Sequence, residues 1–392
     1  MSRDPLAVVI AVVIAVTGVV ATGSAPASAA PTASAASGAG RGAGVSLPRL
    51  PGRYQVGTIT RELVDHSRQD PFAPTPQPRS VLVQFWYPAA RAGQCTPAPY
   101  MSPATAAFEE KAAGLAPGAI ASIRTHACVG GSAARSHAGW PVLLFSPGSG
   151  TSRSLYTAMA EDMASQGFVV VAIDHPYDAE IVEFPDGRVV LRDQPPEGPT
   201  SNAVAVVVRA DDVHFVLDQL PVFDTAPGGP LRDDLDLHRV GMFGHSMGGA
   251  AAAAAMLTDD RIAAGVNLDG SFYGPVVDAG LDRPFLLMSS AGHDIRTDPS
   301  WVSTWANLRG WRRDLELADS GHLTYSDIAV LYGPLHLNAV LPPAAVGTID
   351  GVRAVDIEQT YLTAYFDHFL RHAPAPLLEH PDPRYPEVLF MG

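Results

Sequence analysis

Arg239-Val240-Gly241-Met242-Phe243-Gly244-His245-Ser246-Met247-Gly248-Gly249-Ala250 is the stretch that decides the fold of this chain. Arg239 to Phe243 reads as a short buried strand, and Ala250 to Leu257 is a run of strong helix formers. Gly244 to Gly248 is therefore a strand-to-helix turn. A turn of this kind forces Ser246 into strained dihedrals and lifts its hydroxyl above the sheet edge, while the glycines on either side let strand and helix pass closely. The N–H of Met247, in the first turn of the helix, is then placed to donate to an oxyanion. Gly-x-Ser-x-Gly also arises by chance in a chain with 36 glycines. The apolar strand before it and the alanine helix behind it favour a nucleophile.

Working back from this turn, Pro141-Val142-Leu143-Leu144-Phe145-Ser146-Pro147-Gly148-Ser149-Gly150 is a continuous apolar strand running into a Gly-rich loop. That is the form of a central parallel strand whose loop lies at the carboxyl edge of the sheet. The N–H of Ser149 can face the same oxygen as that of Met247. A helix from about Ser154 to Gln166 and a buried strand from Phe168 to Asp174 complete a β-α-β pattern. His175 and Asp178 follow, and are expected to hold the loop in place. Ile181 to Val190 resembles a hairpin around Asp186-Gly187, and Asn202 to Gln219 is the helix leading into the elbow strand. Nearer the amino terminus, Tyr54 to Val64 and Ser80 to Tyr87 alternate apolar and polar residues, as antiparallel opening strands do. An insertion near 92–139, with one helix at Ala104 to Ala113, is expected to cover the site as part of a cap.

Working forward, the strand Ala263 to Leu268 ends at Asp269, whose carboxylate can orient a histidine on a neighbouring loop and stabilise its imidazolium. The next strand, Pro284 to Ser289, closes with Ala291-Gly292-His293-Asp294, so Asp294 is an alternative acid; Asp269 is preferred. Leu315 to Leu317 reads as the last short strand. His322 comes just after it, which fits the order nucleophile, acid, base and makes His322 the expected base, with His293 the runner-up. Tyr325 to Tyr332 and Asp356 to Leu370 read as further helices.

The chain outside this core narrows the function class. Arg3, a charge-free run from Leu6 to Ala21 and Ala27-Ser28-Ala29 predict a secretory signal peptide over residues 1–29, with an uncleaved anchor as the alternative. Residues 30–50 are expected to be a flexible leader, leaving 51–392 as one catalytic domain with no membrane span and a secreted destination. The formal charge of -14 excludes nucleic acid and anionic membrane as electrostatic partners. Export favours a disulfide between Cys95 and Cys128, the only two cysteines, over a free pair.

With these residues placed, the chain resembles the platelet-activating-factor acetylhydrolase family, plasma or secreted type with its bacterial relatives, within the α/β-hydrolases. The resemblance spans Tyr54 to Arg371. It rests on Asp65-His66-Ser67-Arg68, Trp86-Tyr87-Pro88, Phe145 to Gly150 with Arg153, Leu155 and Tyr156, Gly244 to Gly249, Leu268-Asp269 and Gly321-His322. It implies an α/β-hydrolase fold, with a mostly parallel doubly wound sheet, antiparallel amino-terminal strands and cap insertions. It implies a calcium-independent serine esterase without cofactor or metal: Ser246 as nucleophile, His322 as base, Asp269 as acid, Met247 and Ser149 as oxyanion donors. Where animal members carry His-Gly-Leu-Gly, this chain has Pro147-Gly148-Ser149-Gly150, which keeps the backbone donors. The expected substrates are short-chain carboxylic esters, including short-acyl or oxidised phospholipids. An acyltransferase and a non-catalytic secreted binding protein on the same scaffold are the alternatives.

Overall fold

The computed structural model describes residues 44–90 and 95–392, so the expected signal peptide and most of the leader lie outside the described residues. Eleven strands form one sheet in the order β13-β12-β11-β10-β9-β5-β6-β2-β1-β4-β3. Its centre is six parallel strands: β12 (Arg312–Leu317), β11 (Phe285–Ser290), β10 (Ile262–Leu268), β9 (Leu235–His245), β5 (Trp140–Ser146) and β6 (Val169–Asp174). β2 (Pro78–Ala89) runs antiparallel to both β6 and β1 (Gln55–Gln69). The remaining pair, β7 (Ile181–Glu183) and β8 (Val189–Leu191), is the separate hairpin around Asp186-Gly187.

Both faces of the central strands are covered, which is why they read as unbroken apolar runs. Leu143 and Phe145 join one core with Met159 and Met163 of helix α2 (Thr157–Ser165) and with Tyr361, Leu362, Tyr365 and Phe366 of α8 (Gly351–Arg371). Val142 and Leu144, pointing the other way, pack with Val213, Val216 and Leu217 of α3 (Pro199–Thr225) and with Ala252, Ala253 and Met256 of α4 (Met247–Thr258). The small side chains of α4 let it lie close against the sheet. α3 runs on past Gln219, where the expected helix ended, and carries Pro221 inside it.

The chain visits β5, then β6 on one side, then β9 on the other, before continuing to β10, β11 and β12. The order reverses between β5 and β9. Ligands of open α/β sheets bind outside the carboxyl ends of the strands at such a switch point. Here those ends carry the loop from Pro147 to Gly150 and the turn at Ser246.

The edges differ from expectation. Leu315–Leu317 is not the last strand: β13 (Val388–Phe390) pairs antiparallel with it. The insertion is built into the sheet. Its strands β3 (Pro97–Pro99) and β4 (Arg124–Val129) lengthen the sheet beyond β1, while Ala106 of its helix α1 (Pro103–Ala112), together with Tyr100 and Met101, packs with Leu323, beside His322. Cys95 and Cys128 form the expected disulfide, with Cα atoms 5.3 Å apart. No helix among the described residues is long and apolar enough to cross a membrane.

Candidate active site

The turn between β9 and α4 has the strain expected of it. Ser246 sits at φ 55°, ψ -122°, a conformation costing on the order of 1–3 kcal/mol, and its N–H donates to Leu268 O at 2.8 Å. The flanking glycines are required by close approach rather than by flexibility. A Cβ on Gly248 would lie 1.9 Å from Ser146 O, and one on Gly244 would lie 2.3 Å from Gly248 C. Ser246 is half-buried, and its hydroxyl makes no hydrogen bond among the described residues, His322 included.

Asp269 follows β10 in the left-handed region, φ 58°, held there by its N–H donating to Met288 O at 2.8 Å. Its carboxylate accepts four hydrogen bonds. Ser290 N–H (2.7 Å) and His293 Nδ1–H (2.7 Å) reach Oδ1; Ser290 Oγ–H (2.9 Å) and His322 Nδ1–H (2.6 Å) reach Oδ2. Burial opposes its ionisation, but the bonds from His293 and His322 hold the carboxyl far below the usual carboxylate range. Because Nδ1 of His322 carries the proton shared with Asp269, Nε2 is left as the basic nitrogen. Asp294 does not come to His322. Its carboxylate is taken by Arg296, accepting from the backbone N–H at 2.6 Å and from Nε at 2.9 Å.

The loop from Pro147 to Gly150 is fixed from two sides. Gly148 N–H donates to Tyr156 Oη (3.1 Å), Tyr156 O–H donates to His245 Nδ1 (2.9 Å), and His245 Nε2–H donates to His322 O (2.9 Å). Burial, with His322 nearby, lowers His245 to about 3, so it stays neutral and the chain of bonds keeps one polarity. The rings of His245 and His322 lie 4.6 Å apart. One relay therefore ties the His322 loop to the loop from Pro147 to Gly150. With Gly148 N–H occupied, the amides of Ser149 and Met247 remain without an acceptor among the described residues.

Beneath the loop, Arg209 donates to Pro147 O, to Gly148 O (3.2 Å) and to Ser146 Oγ (3.2 Å), and grips Asp178 at 2.6 and 2.7 Å. Burial would raise Asp178, but Arg209 outweighs it and brings the carboxyl down to about 2. His175 and Asp178 thus hold the loop, as their position at the end of β6 suggested. The parts that were not foreseen are Arg209, Asp212 and the paired contacts of His293. Each depends on convergence of distant segments; only the adjacency of His293 to the end of β11 hinted at one of them.

Comparison with known proteins places the chain in a family. Residues 40–184 and 221–372 match the family model described as platelet-activating factor acetylhydrolase, isoform II. A probable 1-alkyl-2-acetylglycerophosphocholine esterase of Arthroderma benhamiae is 30% identical over 88% of this chain and 93% of its own length. The platelet-activating factor acetylhydrolase of Cavia porcellus is 24% identical over 59% of this chain and 58% of its own. Among solved structures, a ferulic acid esterase from Streptomyces cinnamoneus matches with a TM-score of 0.79 and 36% identity, covering 89% of this chain and 100% of that one. The chain is an ester-hydrolysing serine hydrolase with an α/β-hydrolase fold, and it belongs to the platelet-activating factor acetylhydrolase isoform II family.

Proposed function

We propose that this enzyme is a secreted esterase that cleaves short-chain carboxylic esters, among them short-acyl or oxidised phospholipids, by acyl transfer through Ser246, His322 and Asp269. The observation that carries this reading is the 2.6 Å bond from His322 to Asp269 beside a strained serine whose hydroxyl is free. His322 Nε2 takes the proton of Ser246 as the oxygen attacks the carbonyl carbon. Asp269 holds the ring in the required tautomer and stabilises the imidazolium that forms. The N–H groups of Ser149 and Met247 receive the oxyanion, each worth about 3 kcal/mol of the barrier. His322 then protonates the leaving alcohol, and water, deprotonated by the same nitrogen, releases the acid from the acyl-enzyme.

The Ser149 hydroxyl donates to the Glu197 carboxylate at 2.8 Å, which leaves the Ser149 N–H as the group that faces the substrate. A second reading, esters of ferulic acid, is favoured by the similarity to the Streptomyces cinnamoneus enzyme.

The test is a profile of initial rates over p-nitrophenyl esters of graded acyl length, a 2-acetyl phospholipid and methyl ferulate, in wild type and Ser246→Ala. Hydrolysis highest on acetyl esters and lost in Ser246→Ala supports the first reading. Preference for methyl ferulate moves the substrate class to the second. Full activity in Ser246→Ala would overturn both.

A further inference from the structure

His293 lies on the loop after β11, and both of its ring nitrogens face carboxylates. Nδ1 is 2.7 Å from Asp269 Oδ1 and Nε2 is 2.9 Å from Asp298 Oδ2. Ionised carboxylates only accept hydrogen bonds, so making both contacts requires a proton on each nitrogen. Asp298 is held ionised by its other partners: it caps α6 (Pro299–Asn307) by accepting from Ser300 N–H and Trp301 N–H, and it accepts from the Ser271 and Ser300 hydroxyls. Asp269 is filled to its four acceptor positions, as described above. We propose that His293 is a permanent imidazolium that positions Asp269 and sets the proton affinity of His322 through it, a role that rests on the assignment of Ser246, His322 and Asp269 given above.

The surroundings of His293 are consistent with a fixed positive charge. Besides Asp269 from β10 and Asp298 from α6, Asp314 of β12 is close enough to feel it, and Glu316 of the same strand accepts from the neighbouring Gly292 N–H at 3.2 Å. On its own loop the one cation, Arg296, is engaged by Asp294. The Trp301 ring packs 4.6 Å from the imidazole and shields one side. Burial works against the charge, yet the bonds to Asp269 and Asp298 outweigh it and raise His293 to about 10.

The consequence is electrostatic. Asp269 alone would bind the proton of a neighbouring imidazole strongly, holding His322 in the protonated form that cannot act as a base. A standing positive charge on the far oxygen of the same carboxylate weakens that pull without removing the hydrogen bond that orients His322. His293 is thus a positioning residue: it does not touch the reacting atoms, and it works through Asp269.

His293→Asn tests this directly, because the amide nitrogen can still donate to Asp269 from about the place of Nδ1 while the charge is gone. The expected result is that the acid limb of the kcat/KM profile on p-nitrophenyl acetate moves to higher pH by about one unit, with activity at pH 9 reduced less than at pH 6. A uniform reduction at every pH, or a limb that does not move, would overturn the proposal. A second measurement needs no variant. In 15N NMR of the wild-type protein at pH 8.5, one of the thirteen histidines should have both ring nitrogens protonated; none in that state would also overturn it. Ser246→Ala, assayed alongside, keeps the two failures apart. An unmoved limb with an inactive Ser246→Ala removes the role of His293 alone, whereas an active Ser246→Ala removes the parent assignment with it.

Discussion

Ser146, His175 and Asp212 are joined by hydrogen bonds of 3.0 and 2.9 Å, whereas among Ser246, His322 and Asp269 only the histidine–aspartate bond is made. Judged by residue types and distances, the first array is the more complete of the two. All three of its side chains are buried, however, and Ser146 ends a regular strand instead of occupying a strained turn. Asp212 is also committed elsewhere. It accepts from Arg79 at 2.7 and 3.1 Å and from Arg68 at 3.0 Å, so its charge is spent on arginines and cannot stabilise an imidazolium at His175. Burial accordingly lowers His175 below the usual histidine range. At Asp269 the corresponding partner is a second histidine, and the serine is half-exposed. The contrast teaches that hydrogen bonding among the three residues is a poor guide to chemistry. Access to the hydroxyl and a strained turn that presents it set the second array apart from the first.

The largest expected effect that could break this comparison comes from the two aspartates. Asp269→Asn should lower kcat/KM by about 10^4-fold with the fold retained. Asp212→Asn should instead destabilise the protein by about 3–5 kcal/mol in urea unfolding, because it leaves Arg79 buried with a lost partner. Its folded fraction should turn over ester at close to the wild-type rate. Equal catalytic losses in both variants would erase the distinction.

The pH dependence of stability is the next effect. His245, lowered to about 3, and His175 are buried neutral, so below pH 6.5 the unfolded chain takes up protons that the native state refuses. These two histidines then lower stability as pH decreases, by up to about 1.4 kcal/mol per pH unit for each. Asp178 adds to this only at stronger acidity, its contribution being complete above about pH 4 and lost as pH falls through about 2. His293 works in the opposite sense. Raised to about 10, it contributes stability that is complete below pH 6.5 and is lost as pH rises through 10. The difference in melting temperature between wild type and His293→Asn should shrink as pH rises from 7 to 10. A difference that stays constant up to pH 10 would contradict the charge placed at His293.

The smallest effect sharpens the account of the oxyanion loop. Ser149 Oγ bonds to Glu197 and Arg192, and only its N–H is left for the substrate. Ser149→Ala should therefore change kcat by less than about tenfold, far from the 10^2 to 10^3 expected when an oxyanion donor is removed. A loss in that larger range would mean that the side chain itself takes part.

Much of this was legible in the chain. The central strands β5, β6, β9, β10 and β11 are apolar runs buried on both faces, and they end at turns whose residues, Gly148, Gly244 and Gly270, leave little other choice. Ser246 and Asp269 each sit just after such a run, whereas His322 was picked out by its place after β12 in the chain order nucleophile, acid, base. The edge strands were not legible. β3 and β13 are three residues each and are held by pairing with a distant partner, not by any periodicity of their own. The same reason hid Arg209 and Asp212, which lie mid-helix on α3 and acquire meaning only from the β5 loop and β2 that they face. His293 could be seen as a rival base, but its two carboxylate partners, 24 residues before it and 5 after it, could not be seen together.

The most direct test of which array carries the chemistry is covalent labelling of the wild-type enzyme with a fluorophosphonate, followed by digestion and mass spectrometry. The account predicts one adduct, on the peptide carrying Ser246, and unmodified Ser146. An adduct on Ser146, or no adduct on an enzyme that hydrolyses ester, would contradict it.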